Sequence, residues 1–401
     1  MIHFGLRLRP RVMKTADHFS MQALVFALVA SAFTVVYITQ PVLPVIEQEF
    51  GVDARIASLS VSMVIFGIAL ANLPFGMIAD RFPIRPIILA GGAIVVAASL
   101  ICALTQHFAL LIAARFIQGL FIPSLTTCIA AYLAQNLPAA RLNVVMGSYV
   151  AATVAGGLGG RLLGGWLHPP LHWRYAFVSA SLLVVAATAS ASLWLPREEA
   201  KRKNEARQAS FLELLAEPGL LRMFAVAFGA FFVFSSIFNY LPFYLSQPPL
   251  SARTEVITLM YLAYLMGIII GPMSGKLSNR LGSGATMMLG SVVFAMAIGA
   301  SLIESLTVIA VSLIGVCAGF FAIHAAAVGL LNRRLSTSRG RANSLYVLCY
   351  YAGGAAGITA CGYAYSAQGW TGAVVLNAAI LSLPFGIGLL EIVKERQQRT
   401  S

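Results

Sequence analysis

Runs of roughly 20 apolar residues follow one another along almost the whole chain, and this pattern limits the fold more than any other feature. They cover 21–42, 56–79, 87–104, 108–133, 143–167, 175–195, 223–245, 256–275, 285–303, 306–331, 344–364 and 373–393. Each is long enough to cross the hydrocarbon core of a bilayer as a helix. None alternates as an outer-membrane strand does, and each is about twice the length such a strand needs. Of the 401 residues, 59% are apolar and only 10% are charged. Water-soluble domains carry about 25% charged residues, so a soluble globule is excluded. Disorder fails because hydrophobicity is too high. A disulfide scaffold fails because Cys102, Cys128, Cys317, Cys349 and Cys361 are scattered through the runs; they read as small apolar packing residues, with no metal-site spacing. The expected fold is an all-α membrane protein with twelve transmembrane helices.

The cations fall on alternate loops. Arg7, Arg9, Arg11 and Lys14 precede the first run, Arg81 and Arg85 follow the second, and Arg141 precedes the fifth. Arg197, Lys201, Arg202, Lys203, Arg207 and Arg222 fill the central segment. Lys276, Arg280, Arg333, Arg334, Arg339, Arg341, Lys394, Arg396 and Arg399 complete that side, whereas the other side has only Arg55, Arg174 and Arg253. The positive-inside rule then makes both termini cytoplasmic, and an even number of spans agrees. The same bias accounts for the net charge of +13, so no nucleic-acid partner is implied. The basic start before an apolar run looks like a signal peptide, but the run is too long and eleven more follow. It reads as a retained first helix of a multi-pass protein in a bacterial inner membrane.

The runs divide six and six around the segment 196–222, which holds an amphipathic stretch at 211–215 suited to the membrane surface. Arg141 and Asn143 open the fifth run as Arg341 and Asn343 open the eleventh. Gly76 and Arg81 close the second as Gly275 and Arg280 close the eighth. Gly119 pairs with Gly319, and Trp173 with Trp370. A near-constant offset of half the chain means two homologous six-helix bundles, an arrangement common among secondary transporters. The expected domains are 1–196, a central loop at 197–222, and 223–401.

The second run ends in Gly76, Asp80, Arg81, Pro83, Ile84 and Arg85. This resembles the G-x-x-x-D-R-x-G-[RK]-[RK] signature of the major facilitator superfamily, with Pro83 for the glycine and Ile84 for a basic residue. The resemblance implies the major facilitator fold and a latch between the carboxylate and the start of the eleventh helix, here near Arg341. The second copy keeps Gly275, Arg280 and Gly282 but has Asn279 for the acid, so the implied gate is asymmetric. A basic loop serving topology alone is the other reading. Leu111, Arg115, Gln118 and Gly119 match the family's L-x-x-x-R-x-x-Q-G in the fourth helix. The match implies a role for Arg115 in proton coupling or in polar contacts with the first helix; a structural arginine bonded to carbonyls is equally open. Gly156, Gly160, Gly164 and Gly165 fit the exporter pattern G-x-x-x-G-P-x-x-G-G, but Arg161 stands where proline belongs. Glycines at this spacing let helices approach closely. With His172, Trp173 and Arg174 ahead of the sixth helix, the chain resembles the YnfM-type inner-membrane transporters.

An arginine within a span must face protein or a watery cavity and is a functional candidate. The acids all fall at loops or edges, with Glu391 at the end of the last run, while Arg115, Arg161 and His324 lie inside. A cavity biased positive favours anionic or neutral polar substrates over lipophilic cations. Histidine titrates near neutral pH, so His324 is a candidate proton carrier, or a packing residue. The family lines its cavity with the first, fourth, seventh and tenth helices, which implicates Tyr37, Gln40, Arg115, Gln118, Asn239, Tyr240 and His324. Tyr149, Tyr346 and Tyr350 reach toward it from the fifth and eleventh helices, or belong to interfacial belts. No phosphate-binding loop of the G-x-x-x-x-G-K-[ST] type appears, so ATP drive is not expected. The expectation is a monomeric secondary transporter of a small molecule, coupled to protons and working in efflux, without cofactor, metal or enzymatic activity. The alternatives are proton-independent movement of sugars or organic anions, a membrane enzyme, or a sensor.

Overall fold

The computed structural model describes residues 15–79, 81–137, 139–195, 209–335 and 338–400. Among them every regular element is helical. α1 (Thr15–Tyr37) continues through a 3-10 turn (Gln40–Val42) into α2 (Leu43–Phe50). Pro41 and Pro44 lack the amide donors an unbroken helix would use, so the first crossing is broken there. α3 (Ala54–Ala57) leads into α4 (Leu59–Ala79), with the Asp53 side chain accepting from the Ile56 amide at 2.7 Å as its cap. α5 (Ile84–Leu104), α6 (Phe108–Asn136), α7 (Ala139–Trp166) and α8 (Arg174–Trp194) complete the first bundle. α9 (Phe211–Ala216) is the short amphipathic helix, and Ser210 and Glu213 cap it reciprocally.

The second bundle begins with α10 (Pro218–Ser246). α11 (Thr254–Met260), a 3-10 segment (Tyr261–Leu265) and α12 (Met266–Leu281) form one bent crossing. α13 (Ser283–Ala300) and α14 (Leu306–Arg333) follow. α15 (Arg339–Thr400) holds two crossings, turned at Gln368 and at Gly369, whose φ of +57° suits glycine. Ten stretches are long and apolar enough to span a bilayer, and one of them, Arg339–Glu395, contains both crossings of α15. α7 completes the twelve by length: its 28 residues extend about 42 Å at 1.5 Å per residue, although glycines and arginines dilute its apolar content. Large apolar side chains such as Leu104, Leu182, Leu193 and Met296 are exposed on the outer surface, as lipid contact requires.

Within each bundle one helix presses its glycines onto a partner's backbone. A Cβ on Gly156 or Gly160 of α7 would lie 2.3 or 2.2 Å from the carbonyl oxygens of Ala30 or Thr34 in α1. A Cβ on Gly353 or Gly357 of α15 would lie 2.2 or 2.3 Å from those of Phe228 or Phe232 in α10. The duplication also repeats a tryptophan staple. Trp173 donates from Nε1 to Glu49, while Arg174 binds Glu49 and the Thr105 carbonyl. In the second bundle, Trp370 donates to Ser301 Oγ at 3.0 Å and stacks on Tyr244, whose hydroxyl donates to the Ser301 carbonyl.

The bundles meet in the half of the molecule that contains α2, α3 and α11. Asn239 Nδ2 donates to Ser58 Oγ at 2.8 Å, Arg55 lies 4.9 Å from the Tyr363 ring centre, and Gly165 abuts Thr258. Toward the central segment, Gly147, Gly271, Gly275 and Gly340 face open space, and Val144 and Val150 are exposed. Among the described residues, the cleft between the bundles therefore opens on the central-segment face.

Candidate functional site

Arg161 sits where the cleft closes. It projects from α7, is 2% exposed, and has no carboxylate partner among the described residues. Nε donates to Gln40 Oε1 at 2.7 Å, Nη1 to the Gly157 carbonyl at 2.7 Å, and Nη2 to the Tyr264 hydroxyl at 2.8 Å. Gln40 belongs to the broken first crossing and Tyr264 to the second bundle, so one guanidinium ties both halves. Tyr37, Tyr264 and Tyr261 surround it, with ring centres 3.9, 4.2 and 5.3 Å from Cζ. Ring faces attract a cation, more strongly when it is desolvated. The cage offsets part of the burial cost without neutralising the charge. The site is a buried positive centre shared by the two bundles.

Arg115 is fully buried and differently placed. Nε donates to the Ser60 carbonyl at 2.6 Å, and Nη1 and Nη2 to the Val35 and Val36 carbonyls at 2.8 and 2.5 Å. Those last two belong to the final turn of α1, where carbonyls have no helical donors of their own. Gln118 Oε1 accepts from Nη1 at 2.7 Å, and Gln118 Nε2 donates to Ser99 Oγ at 2.8 Å. The group knits α1, α4, α5 and α6 together inside the first bundle.

On the second bundle an aromatic column leads from the Arg161 cage. Tyr264 packs on Phe234, Phe234 stacks on Phe320 at 3.9 Å, and Phe320 stacks on His324. Tyr346 and His324 share a hydrogen bond at Nδ1, 3.0 Å long, and Tyr350 lies beside both Phe231 and His324. Asn239 is wholly buried at the bundle interface, and its Oδ1 has no hydrogen-bond partner among the described residues. Tyr240 is also fully buried, but its hydroxyl donates to the Ile358 carbonyl within the second bundle. Tyr149 is half-buried against the first bundle's core.

The motif residues lie around the open face. Asp80 is outside the described residues. Gly76 has Thr127 as its nearest neighbour, and Gly275 has open space around it. Arg81, Asn279 and Arg280 are exposed, and Arg85 is half-buried. Arg341 Nη1 donates to the Ala209 carbonyl at 2.8 Å, and its guanidinium lies over Phe211. Gly119 meets the Val64 carbonyl and Gly164 that of Ile38, so both let helices touch.

Two arrangements escaped the sequence reading. Glu391, read as an edge residue, is 1% exposed and bound by Arg222 and Arg334. Its two partners come from other helices, so proximity along the chain could not reveal them. The Tyr261 and Tyr264 half of the cage was also missed. Two tyrosines three apart on one helical face were the available signal.

Comparison with known proteins agrees with this architecture. A sequence profile described as Major Facilitator Superfamily matches residues 25–357. The MFS-type transporter YybF of Bacillus subtilis (strain 168) is 28% identical over 359 residues, covering 87% of each chain. The inner membrane transport protein YnfM of Escherichia coli (strain K12) is 26% identical over 362 residues, covering 89% of this chain and 87% of its own. Among solved structures, a bacterial homologue of the human lysosomal transporter Spinster, inward-facing and occupied, superposes with a TM-score of 0.74 at 15% identity, covering 94% and 96% of the two chains. With its sequence matched over most of its length and its helices paired six and six, this chain belongs to the Major Facilitator Superfamily.

Proposed function

We infer that the protein is a secondary active transporter that moves a small organic anion, or a neutral polar solute, across the bacterial inner membrane by alternating access. One observation carries this reading: Arg161, buried between the bundles, binds both of them and has no acidic partner among the described residues. A carboxylate entering from the open face gains a charge-assisted hydrogen bond there. It competes with Tyr264 for Nη2, and so bears on the contact that holds the halves together. With both termini cytoplasmic, the open face is the cytoplasmic one, and the chain is poised to load cytoplasmic substrate for efflux. His324, hydrogen-bonded to Tyr346 and facing the aromatic column, is the proposed proton carrier. The protein works as a monomer of two domains, 1–196 and 223–401, with 197–222 as linker. The unequal latch copies at Asp80 and Asn279 govern closure of the cytoplasmic side.

Flux into proteoliposomes tests this. Small carboxylates are expected to move faster with an imposed proton gradient, and lipophilic cations not at all. Arg161→Leu should cut carboxylate flux by about 10- to 100-fold, the worth of one hydrogen bond to a charged group. His324→Ala should abolish the response to the gradient. Transport of cations with no carboxylate flux overturns the anion reading.

A further inference from the structure

The two bundles differ where their second and fourth helices meet, and the difference leaves a cleft. In the first bundle α4 and α6 touch backbone to backbone. A Cβ on Gly67 would lie 2.8 Å from the Phe116 carbonyl oxygen, and one on Gly119 would lie 2.2 Å from that of Val64. The matching glycines of the second bundle, Gly267 and Gly319, do not meet this way. Gly267 faces the ring of Phe321, and Gly319 faces Gly290 of α13. Phe321 acts as a spacer, and α12 stands off α14 below it. The gap is a cleft of about 380 Å³ between α12, α13 and α14, within the size of ligand cavities. Met273, Leu277, Leu289, Val293 and Ala322 make its walls apolar, and Lys276 and Arg280 border it.

The two cations are four residues apart, so they share one face of α12. Both are exposed, and among the described residues neither has a carboxylate within ion-pair distance. The chain carries Asn279 beside them, at the position where the first motif copy has Asp80. The acid that would neutralise the pair is missing from this copy.

We propose that this cleft is a binding site for an anionic glycerophospholipid. One acyl chain lies between α12, α13 and α14, and the phosphate rests on Lys276 and Arg280. An apolar slot at hydrocarbon depth suits the chain, and basic residues at the headgroup level suit the phosphate. The lipid holds α12 and α14 apart, in the role Phe321 plays above it.

The test uses the full-length protein purified in neutral detergent. It is titrated with phosphatidylglycerol, with phosphatidylcholine of the same acyl chains, and with inorganic phosphate, and retained lipid is read by native mass spectrometry. Phosphatidylglycerol is expected to bind in a one-to-one complex, phosphatidylcholine far more weakly, and phosphate is not expected to displace either. K276Q/R280Q should weaken phosphatidylglycerol binding by about thirtyfold, as expected for removing two juxtamembrane cations. Ala322→Phe, which fills the cleft and leaves both charges, should weaken it as well. Equal binding of the two lipids, displacement by phosphate, or wild-type binding by both variants overturns the proposal.

Discussion

Arg115 and Arg161 are both buried with no acid beside them among the described residues, yet they answer different needs. Arg115 spends its donors on three backbone carbonyls and Gln118, all inside one bundle. Arg161 spends two of three on side chains, one of them across the bundle interface. Removing Arg115 strands several buried acceptors, each costing about 1–3 kcal/mol. Arg115→Leu should therefore lower the melting midpoint in detergent by several degrees and reduce yield. Arg161→Leu strands fewer buried acceptors, the Gln40 Oε1 foremost, since the Gly157 carbonyl keeps its place in the α7 helix; it should lower the midpoint less than Arg115→Leu does, while transport collapses. A thermal shift assay beside the flux assay separates the two. Reading the chain located both arginines, because a cation in an apolar run stands out. It could not separate their roles, because the partners of Arg115 are carbonyls, and every residue has one.

At the scale of elements, the glycine ribs of α7 and α15 set how closely each bundle packs. Gly160→Ala and Gly357→Ala each put a methyl group against a carbonyl oxygen at 2.2 and 2.3 Å. Overpacking of this kind costs about 1–3 kcal/mol, and both variants should melt earlier. Gly147→Ala on the same helix as Gly160 meets nothing within 4 Å. It should be neutral or stabilising by up to about 1 kcal/mol, since alanine is the better helix former. Opposite signs on one helix would tie the effect to packing rather than to glycine itself. The first rib was legible as G-x-x-x-G spacing. The second, Gly353 and Gly357, has the same spacing, and the fold supplied its partner, the backbone of α10 at Phe228 and Phe232.

For the molecule as a whole, the state is written in where the halves touch. Ser58 and Asn239 meet on the closed face, and Arg161 and Tyr264 meet at the cleft floor. Cysteines placed at 58 and 239 and joined by a short bifunctional reagent should block transport and leave the protein folded. The native cysteines compete little, since four are buried and Cys349 is half-buried. A cysteine at Gly147 should be labelled by a membrane-impermeant thiol reagent from the cytoplasmic side only. Unimpaired flux after complete cross-linking of 58 to 239 would exclude alternating access through this contact.

The chain by itself determined the membrane setting, the number of crossings and their pairing into two related halves. Hydrophobic run length and repeat offset are local and additive, and they survive without knowledge of contacts. The duplicated motifs and intramembrane arginines were legible for the same reason. Only the tertiary structure decided which face is open, that Arg161 is caged by tyrosines of the other bundle, that Glu391 is buried between two arginines, and that α12 stands away from α14. Each of these depends on residues about 50 to 200 positions apart in the chain, brought together by helix packing. Packing is resolved by the fit of side chains across helices, which no run length or spacing encodes.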